Sequence, residues 1–211
     1  MANALIILFG ITIFYISSTS RIEGYIKALS FQGLLLFLLI SMEINKIPLL
    51  ASTLLIIETL GLKTFLIPWF LMHIVRKNNI YREIEPNIPS FYSVVLTTLI
   101  FSFGFFVAFW TTRSPSNIQA VYFSISISAI ISGLLIILNR KKIITHIMGF
   151  MILENGTFLL SLAVAEEMPL LVNLGMLLDI FVGVFLLGIM VTRIHTSFEE
   201  LDVDILTNLK D

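Results

Sequence analysis

The stretch Met148-Gly-Phe-Met-Ile-Leu-Glu-Asn-Gly-Thr157 sets Glu154 and Asn155 inside an apolar run from Ile143 to Ala165. About 20 mainly apolar residues cross a bilayer as a helix, so this run reads as a membrane span. Its acid lies near mid-depth, where a charged side chain costs roughly 2.5–3.5 kcal/mol on insertion scales. Such a residue is usually partnered, protonated or turned towards water. A second acid, Asp179, lies in the next apolar run, from Pro169 to Met190. Two consecutive spans with one mid-depth acid each suggest a protonatable pair, and the rest of the chain reads as its housing.

The composition agrees. The chain has 211 residues, of which 57% are hydrophobic and 13% charged, and its mean hydropathy is +0.99. A soluble domain carries about 25% charged residues. The expected fold class is therefore all-α, a polytopic membrane bundle. A net charge of −1 gives no basis for nucleic-acid binding. With no cysteine, the chain cannot supply disulfides or thiolate ligands for zinc or iron–sulfur clusters. Three scattered histidines make no metal site. The apolar N-terminus lacks a basic n-region and an Ala-x-Ala-like cleavage site, and reads as a retained first span.

About seven spans are expected: Ala4 to Ser18, Ala28 to Met42, Ile47 to Val75, Phe91 to Thr112, Ile118 to Leu138, Ile143 to Ala165, and a last one from Pro169 to near Arg193. The third run is too long for one straight crossing and contains Glu58, Lys63 and Pro68. Basic residues in short loops set orientation. With the N-terminus outside, ten of the 13 Lys and Arg fall in inside loops, two fall outside and Lys63 lies within a span. The expected topology has the N-terminus out and the C-terminus in the cytoplasm. The organisation divides into N-terminal spans over 1–112, a compact three-helix module over 113–194 and a tail over 195–211. In the tail, Leu201, Ile205, Leu206 and Leu209 recur at helical spacing.

Several residues have two readings. Desolvation favours the neutral form of a carboxyl group, so Asp179 suits proton exchange near neutral pH; it equally suits a packing hydrogen bond between helices. Glu154 has the same pair of readings. Gly149 and Gly156 are seven apart, near one helix face, and permit close helix contact. Asn155 offers a donor and an acceptor beside the acid. Glu58 and Lys63 are about one and a half α-helical turns apart, ahead of Pro68, which frees a backbone carbonyl and bends a helix. They form an internal ion pair near a kink, or Lys63 snorkels to an interface with Glu58 at the outer edge. His146 precedes Glu154 by about two turns; it relays protons from the inside loop or marks the headgroup boundary.

The last three spans resemble the K subunit of respiratory complex I and the C subunit of Mrp-type cation/proton antiporters. Arg140-Lys-Lys-Ile-Ile-Thr-His-Ile-Met-Gly149 is similar to that family's basic turn and second span. Asn155 falls on a family Asn, and Asp179 on the third-span Glu. The family's second-span Glu falls on Met151 here, and Glu154 lies about one turn further on, on a similar face. The whole chain resembles the hydrogenase-4 component E family more closely. Lys63 to Pro68, Glu154-Asn-Gly156, Leu178-Asp-Ile180 and the closing Leu201-Asp-Val-Asp-Ile-Leu-Thr-Asn-Leu-Lys-Asp211 carry that likeness.

The resemblance implies a non-catalytic membrane-arm subunit of a complex I-like, energy-converting [NiFe] hydrogenase or formate hydrogenlyase-type complex. It implies that the nickel–iron centre and iron–sulfur clusters belong to partner subunits. The partners implied are antiporter-like membrane subunits and a hydrogenase-like peripheral arm, embedded in the cell inner membrane. On this reading the ion path is made by Glu154, Asp179, Asn155, Lys63, Glu58 and His146, carrying protons or sodium. The alternatives are a subunit of an Mrp-like antiporter, or a purely structural subunit in which the acids only pack.

Overall fold

The computed structural model describes residues 2–43, 49–77, 88–111, 120–140 and 143–164, together with Gly175 and Gly183. The chain divides into two units, Met1–Pro169 and Leu170–Asp211. Of the second unit, Gly175 and Gly183 are described, both in helical backbone. The seventh expected span and Asp179 otherwise lie outside the described residues, as does the tail.

The first unit is helical. Its elements are α1 (Ala2–Ser18), α2 (Ile22–Glu43), α3 (Leu49–Ile56), a π-helical segment (Ile57–Leu66), α4 (Ile67–Lys77), α5 (Ser90–Thr111), α6 (Ala120–Asn139) and α7 (Ile143–Val164). Five helical stretches are long and apolar enough to cross a membrane: Ile22–Met42, Ser52–Arg76, Phe91–Trp110, Ala120–Asn139 and Ile144–Ala163. α1 is a shorter apolar helix of 17 residues. These are the dimensions of a membrane protein.

Most helix ends fall within two residues of expectation, and two features stand out. α2 begins at Ile22 rather than Ala28, taking in Glu23 and Lys27. Glu23 sits in the first turn, where the helix dipole favours an acid, and Lys27 is exposed. The third run is one continuous helical stretch from Leu49 to Lys77, with the π segment at its centre. Within it the hydrogen bonds step back five residues instead of four, as when Ile67 N–H donates to Leu62 O.

The distribution of polarity is that of a bundle in lipid. Trp69, Phe91 and Leu138 are 70%, 74% and 77% exposed, while Gln32, Thr97 and Ser132 are fully buried. Large apolar side chains turned outwards over buried polar ones are normal against lipid.

α6 and α7 pair backbone to backbone. A Cβ on Gly133 would lie 2.7 Å from both Gly149 O and Leu153 N, and one on Gly156 would lie 2.9 Å from Ala129 Cβ. The close contact expected of Gly149 and Gly156 is therefore present, with α6 as the partner. It occupies one side of α7 and leaves the side carrying Glu154 and Asn155 free to meet α2 and the π segment.

At one end of the bundle three connections converge. Ile88 N–H donates to Asn139 Oδ1 at 2.6 Å, and Asn139 Nδ2 donates to Ser93 Oγ at 3.1 Å. Arg140 Nη2 donates to Thr19 O at 3.4 Å, at the carbonyl end of α1, and its guanidinium lies 5.6 Å from the Tyr25 ring centroid. The helix-end charge and the ring face both favour a cation there. The α1–α2 turn, the approach to α5 and the α6–α7 turn thus share an end, as alternating spans require.

Candidate functional site

The site begins with helix geometry. In an α-helix, residues five apart are separated by about 140° around the axis. In a π-helix the repeat is i to i+5, so they lie one above the other. Thr64 Oγ1 donates to Thr59 O, five residues back, at 2.7 Å. The same register brings Glu58 and Lys63 together: Lys63 Nζ is 3.3 Å from Glu58 Oε1.

The ammonium has a second carboxylate. Lys63 Nζ is 3.1 Å from Glu154 Oε1 on α7 and 5.0 Å from the centroid of the Phe158 ring, one turn further along α7. All three charged side chains are at least nine-tenths buried. Lys63 does not snorkel to an interface. Neither Glu58 oxygen accepts an aligned hydrogen bond among the described residues, so its pairing with Lys63 rests on charge and proximity.

Desolvating charges costs several kcal/mol per ion, and an ion pair compensates only when geometry and further contacts are good. Here the compensation comes from two carboxylates around one ammonium, with the Phe158 face as an additional partner. Counted as charges, the fully ionised cluster carries one net negative charge.

α2 frames the cluster. Gly33 lies against the π segment so closely that a Cβ would stand 2.9 Å from Lys63 C and 3.0 Å from Thr64 N. Only a glycine permits that approach. Ser30 Oγ donates to Thr64 O at 2.6 Å. That carbonyl lies one α-helical turn before Pro68, which has no N–H to give it. Gln32 turns towards α7 and α1: its Oε1 accepts from Asn155 Nδ2 at 3.1 Å, and its Nε2 donates to Thr12 Oγ1 at 2.7 Å.

Of the residues expected to form an ion path, Glu58, Lys63, Glu154 and Asn155 come together. His146 does not join them. It is half-buried at the α6–α7 turn, where its Nε2–H donates to Arg140 O at 2.6 Å. Asp179 lies outside the described residues. Gln32, Ser30, Gly33 and Phe158 went unmarked by sequence reasoning. A lone amide followed by glycine in the middle of an apolar run was the available signal for the first and third. Among the described residues no group of three or more His, Cys, Asp or Glu gathers to hold a metal ion.

Fold and site together define a helical membrane protein with a charged cluster sealed between its spans. Comparison with known proteins adds a relationship over part of the chain. Over 87 residues it is 30% identical to hydrogenase-4 component E of Escherichia coli K12, a match covering 41% of this chain and 40% of that protein. The same match is found with hydrogenase-4 component E of Shigella flexneri. The chain thus matches about two fifths of the length of these curated relatives. Over 156 residues it is 23% identical to an uncharacterised protein of Mycobacterium tuberculosis, covering 74% of this chain and 71% of that one. No protein-family model matches the chain, and no solved structure matches it significantly.

Proposed function

We propose that this chain is a membrane-arm subunit of a complex I-like, energy-converting [NiFe] hydrogenase or formate hydrogenlyase-type complex, and that its buried charges help move protons. The observation that carries the proposal is the Lys63 ammonium held between Glu58 and Glu154, at 3.3 and 3.1 Å, inside the bundle. Ionisable residues at membrane depth that pair with one another mark ion pathways and proton relays. The partial match to hydrogenase-4 component E supports the choice of complex.

The chemistry follows from the charge count. Two carboxylates share one cation, so a proton arriving at either carboxylate neutralises the excess charge and lets Lys63 move towards the other. Loss of the proton reverses the shift. Asp179, on the next span in sequence, extends the path. The metal centres and the redox chemistry belong to partner subunits. The subunit sits in the cell inner membrane, N-terminus outside and C-terminus in the cytoplasm.

Glu154→Gln and Asp179→Asn are each expected to abolish proton translocation while the complex still assembles. The check is a mild-detergent purification of the tagged chain, followed by reconstitution and measurement of redox-driven pH change across the vesicle membrane. Co-purification of antiporter-like subunits and a [NiFe]-hydrogenase-like large subunit is the expected result. Full translocation by both variants would show the acids to be packing groups.

A further inference from the structure

We infer that Gln32 is a positioning residue: with Ser30 and Gly33 it makes α2 the brace that sets the distance between Lys63 and Glu154. This rests on the proton-path reading above and goes beyond it by assigning a role to a span that carries no ionisable group at that depth.

The two halves of the ion-pair cluster lie on different elements. Glu58 and Lys63 belong to the π segment, and Glu154 to α7. α2 packs against both, whereas the π segment reaches α7 through the Lys63 side chain. Whatever holds α2 to each of them therefore fixes the gap that Lys63 spans.

The grip on the π segment is made by Ser30 and Gly33, three residues apart and on one face of α2. Ser30 ties the Thr64 carbonyl at 2.6 Å, and Gly33 lets the α2 backbone seat directly on Lys63 and Thr64. Gln32 is rotated by about 100° from Gly33 and makes the grip on α7. It is fully buried, and Asn155 is 1% exposed. The peptide unit of Asn155 follows directly on Glu154, so the bond from Asn155 Nδ2 to Gln32 Oε1 fixes the axial and rotational position of the acid.

The direction of this bond is set from the other side. Gln32 Nε2 donates to Thr12 Oγ1 at 2.7 Å, and Thr12 Oγ1 donates to Phe9 O at 2.6 Å. With its amide nitrogen engaged by α1, Gln32 presents only an acceptor to α7. The chain of donors runs one way, from Asn155 through Gln32 and Thr12 to the α1 backbone. The Gln32 amide has both ends committed, and carboxamides, which do not ionise near neutral pH, hold geometry rather than pass protons on. The strut is therefore a brace, and the proton chemistry stays with the carboxylates and Lys63.

The test is a double-mutant cycle on the intact, reconstituted complex, read as the rate of redox-driven proton uptake. Gln32→Met keeps side-chain length and removes the polar end; Asn155→Leu removes the other partner. Each is expected to lower the rate about tenfold, since a misplacement near 1 Å costs up to about a hundredfold in a positioned reaction. The double variant should be no slower than either single one, because both break one bond. Thr12→Val, which frees the Gln32 amide to flip, should give a smaller loss of about threefold and serves if Gln32→Met fails to accumulate. An unchanged rate in Gln32→Met, or losses that multiply to about a hundredfold in the double variant, would overturn the brace. Loss of transport in Glu154→Gln alongside those results would leave the proton path standing; full transport in Glu154→Gln would remove the path itself.

Discussion

Lys63→Met will uncouple proton movement and strip the membrane fraction of folded protein, the largest single-residue effect expected in this chain. Methionine matches the length and volume of the lysine stem, so packing against Phe158 is retained. What is lost is the ammonium between Glu58 and Glu154, at 3.3 and 3.1 Å. Two desolvated carboxylates are then left facing each other. Removing one partner of a buried ion pair destabilises by about 3–5 kcal/mol, and here two acids are stranded at once. The expected readout is a fall of ten degrees or more in the thermal midpoint, on the order of 4–8 °C per kcal/mol for a small domain and less for a larger one. Detergent-solubilised protein followed by light scattering and intrinsic fluorescence would measure it. The triple variant Glu58→Gln, Lys63→Met, Glu154→Gln should recover the stability and none of the translocation. A Lys63→Met protein as stable as wild type would mean that the acids find another counter-charge.

Gly133→Leu will separate α6 from α7 and prevent the bundle from closing. The Cβ of any other residue at 133 would meet backbone atoms, Gly149 O and Leu153 N, at 2.7 Å. Backbone cannot step aside as a flexible side chain can. The helices must move apart, and the loss propagates along the seam to Gly156 and Ala129, which touch only because the axes are so close. Overpacking a core by a few carbons costs about 1–3 kcal/mol; a whole leucine side chain at a backbone contact should cost more. The check is the yield of monodisperse protein on size exclusion. Gly61→Ala is the control, because among the described residues a Cβ there meets Ile57 Cγ2 alone, at 4.0 Å. It should leave the yield unchanged or raise it, alanine being favoured over glycine in a helix by about 0.5–1 kcal/mol.

What the sequence disclosed depended on periodicity. The long apolar runs announced the helices because bilayer thickness fixes their length. The seven-residue spacing of Gly149 and Gly156 announced a close helix contact because seven residues are nearly two α-helical turns. Glu154 was conspicuous as an acid in an apolar setting. The pairing of Glu58 with Lys63 stayed ambiguous because ordinary helix geometry points the two about 140° apart. It is the π register that reunites them, and that register is set by tertiary contacts: Gly33 against the Lys63–Thr64 backbone, and Ser30 on the Thr64 carbonyl. Gln32 was passed over for a similar reason. Its importance lies in what α1 and α7 place beside it, and no local pattern records that.

The π segment also changes how this chain should be lined up with others. A π-helix is an α-helix that has accepted extra residues without giving up its contacts on either side. Glu58 and Lys63, five apart here, occupy the faces that two residues four apart hold in an ordinary helix. A relative whose third helix is one residue shorter, lacking a counterpart of Gly61, can keep the same pair as Glu-x-x-x-Lys in place of Glu-x-x-x-x-Lys. An alignment column would score such a pair as lost. The three-dimensional site would be intact, and a one-residue gap placed inside Ile57–Leu66 would restore the correspondence.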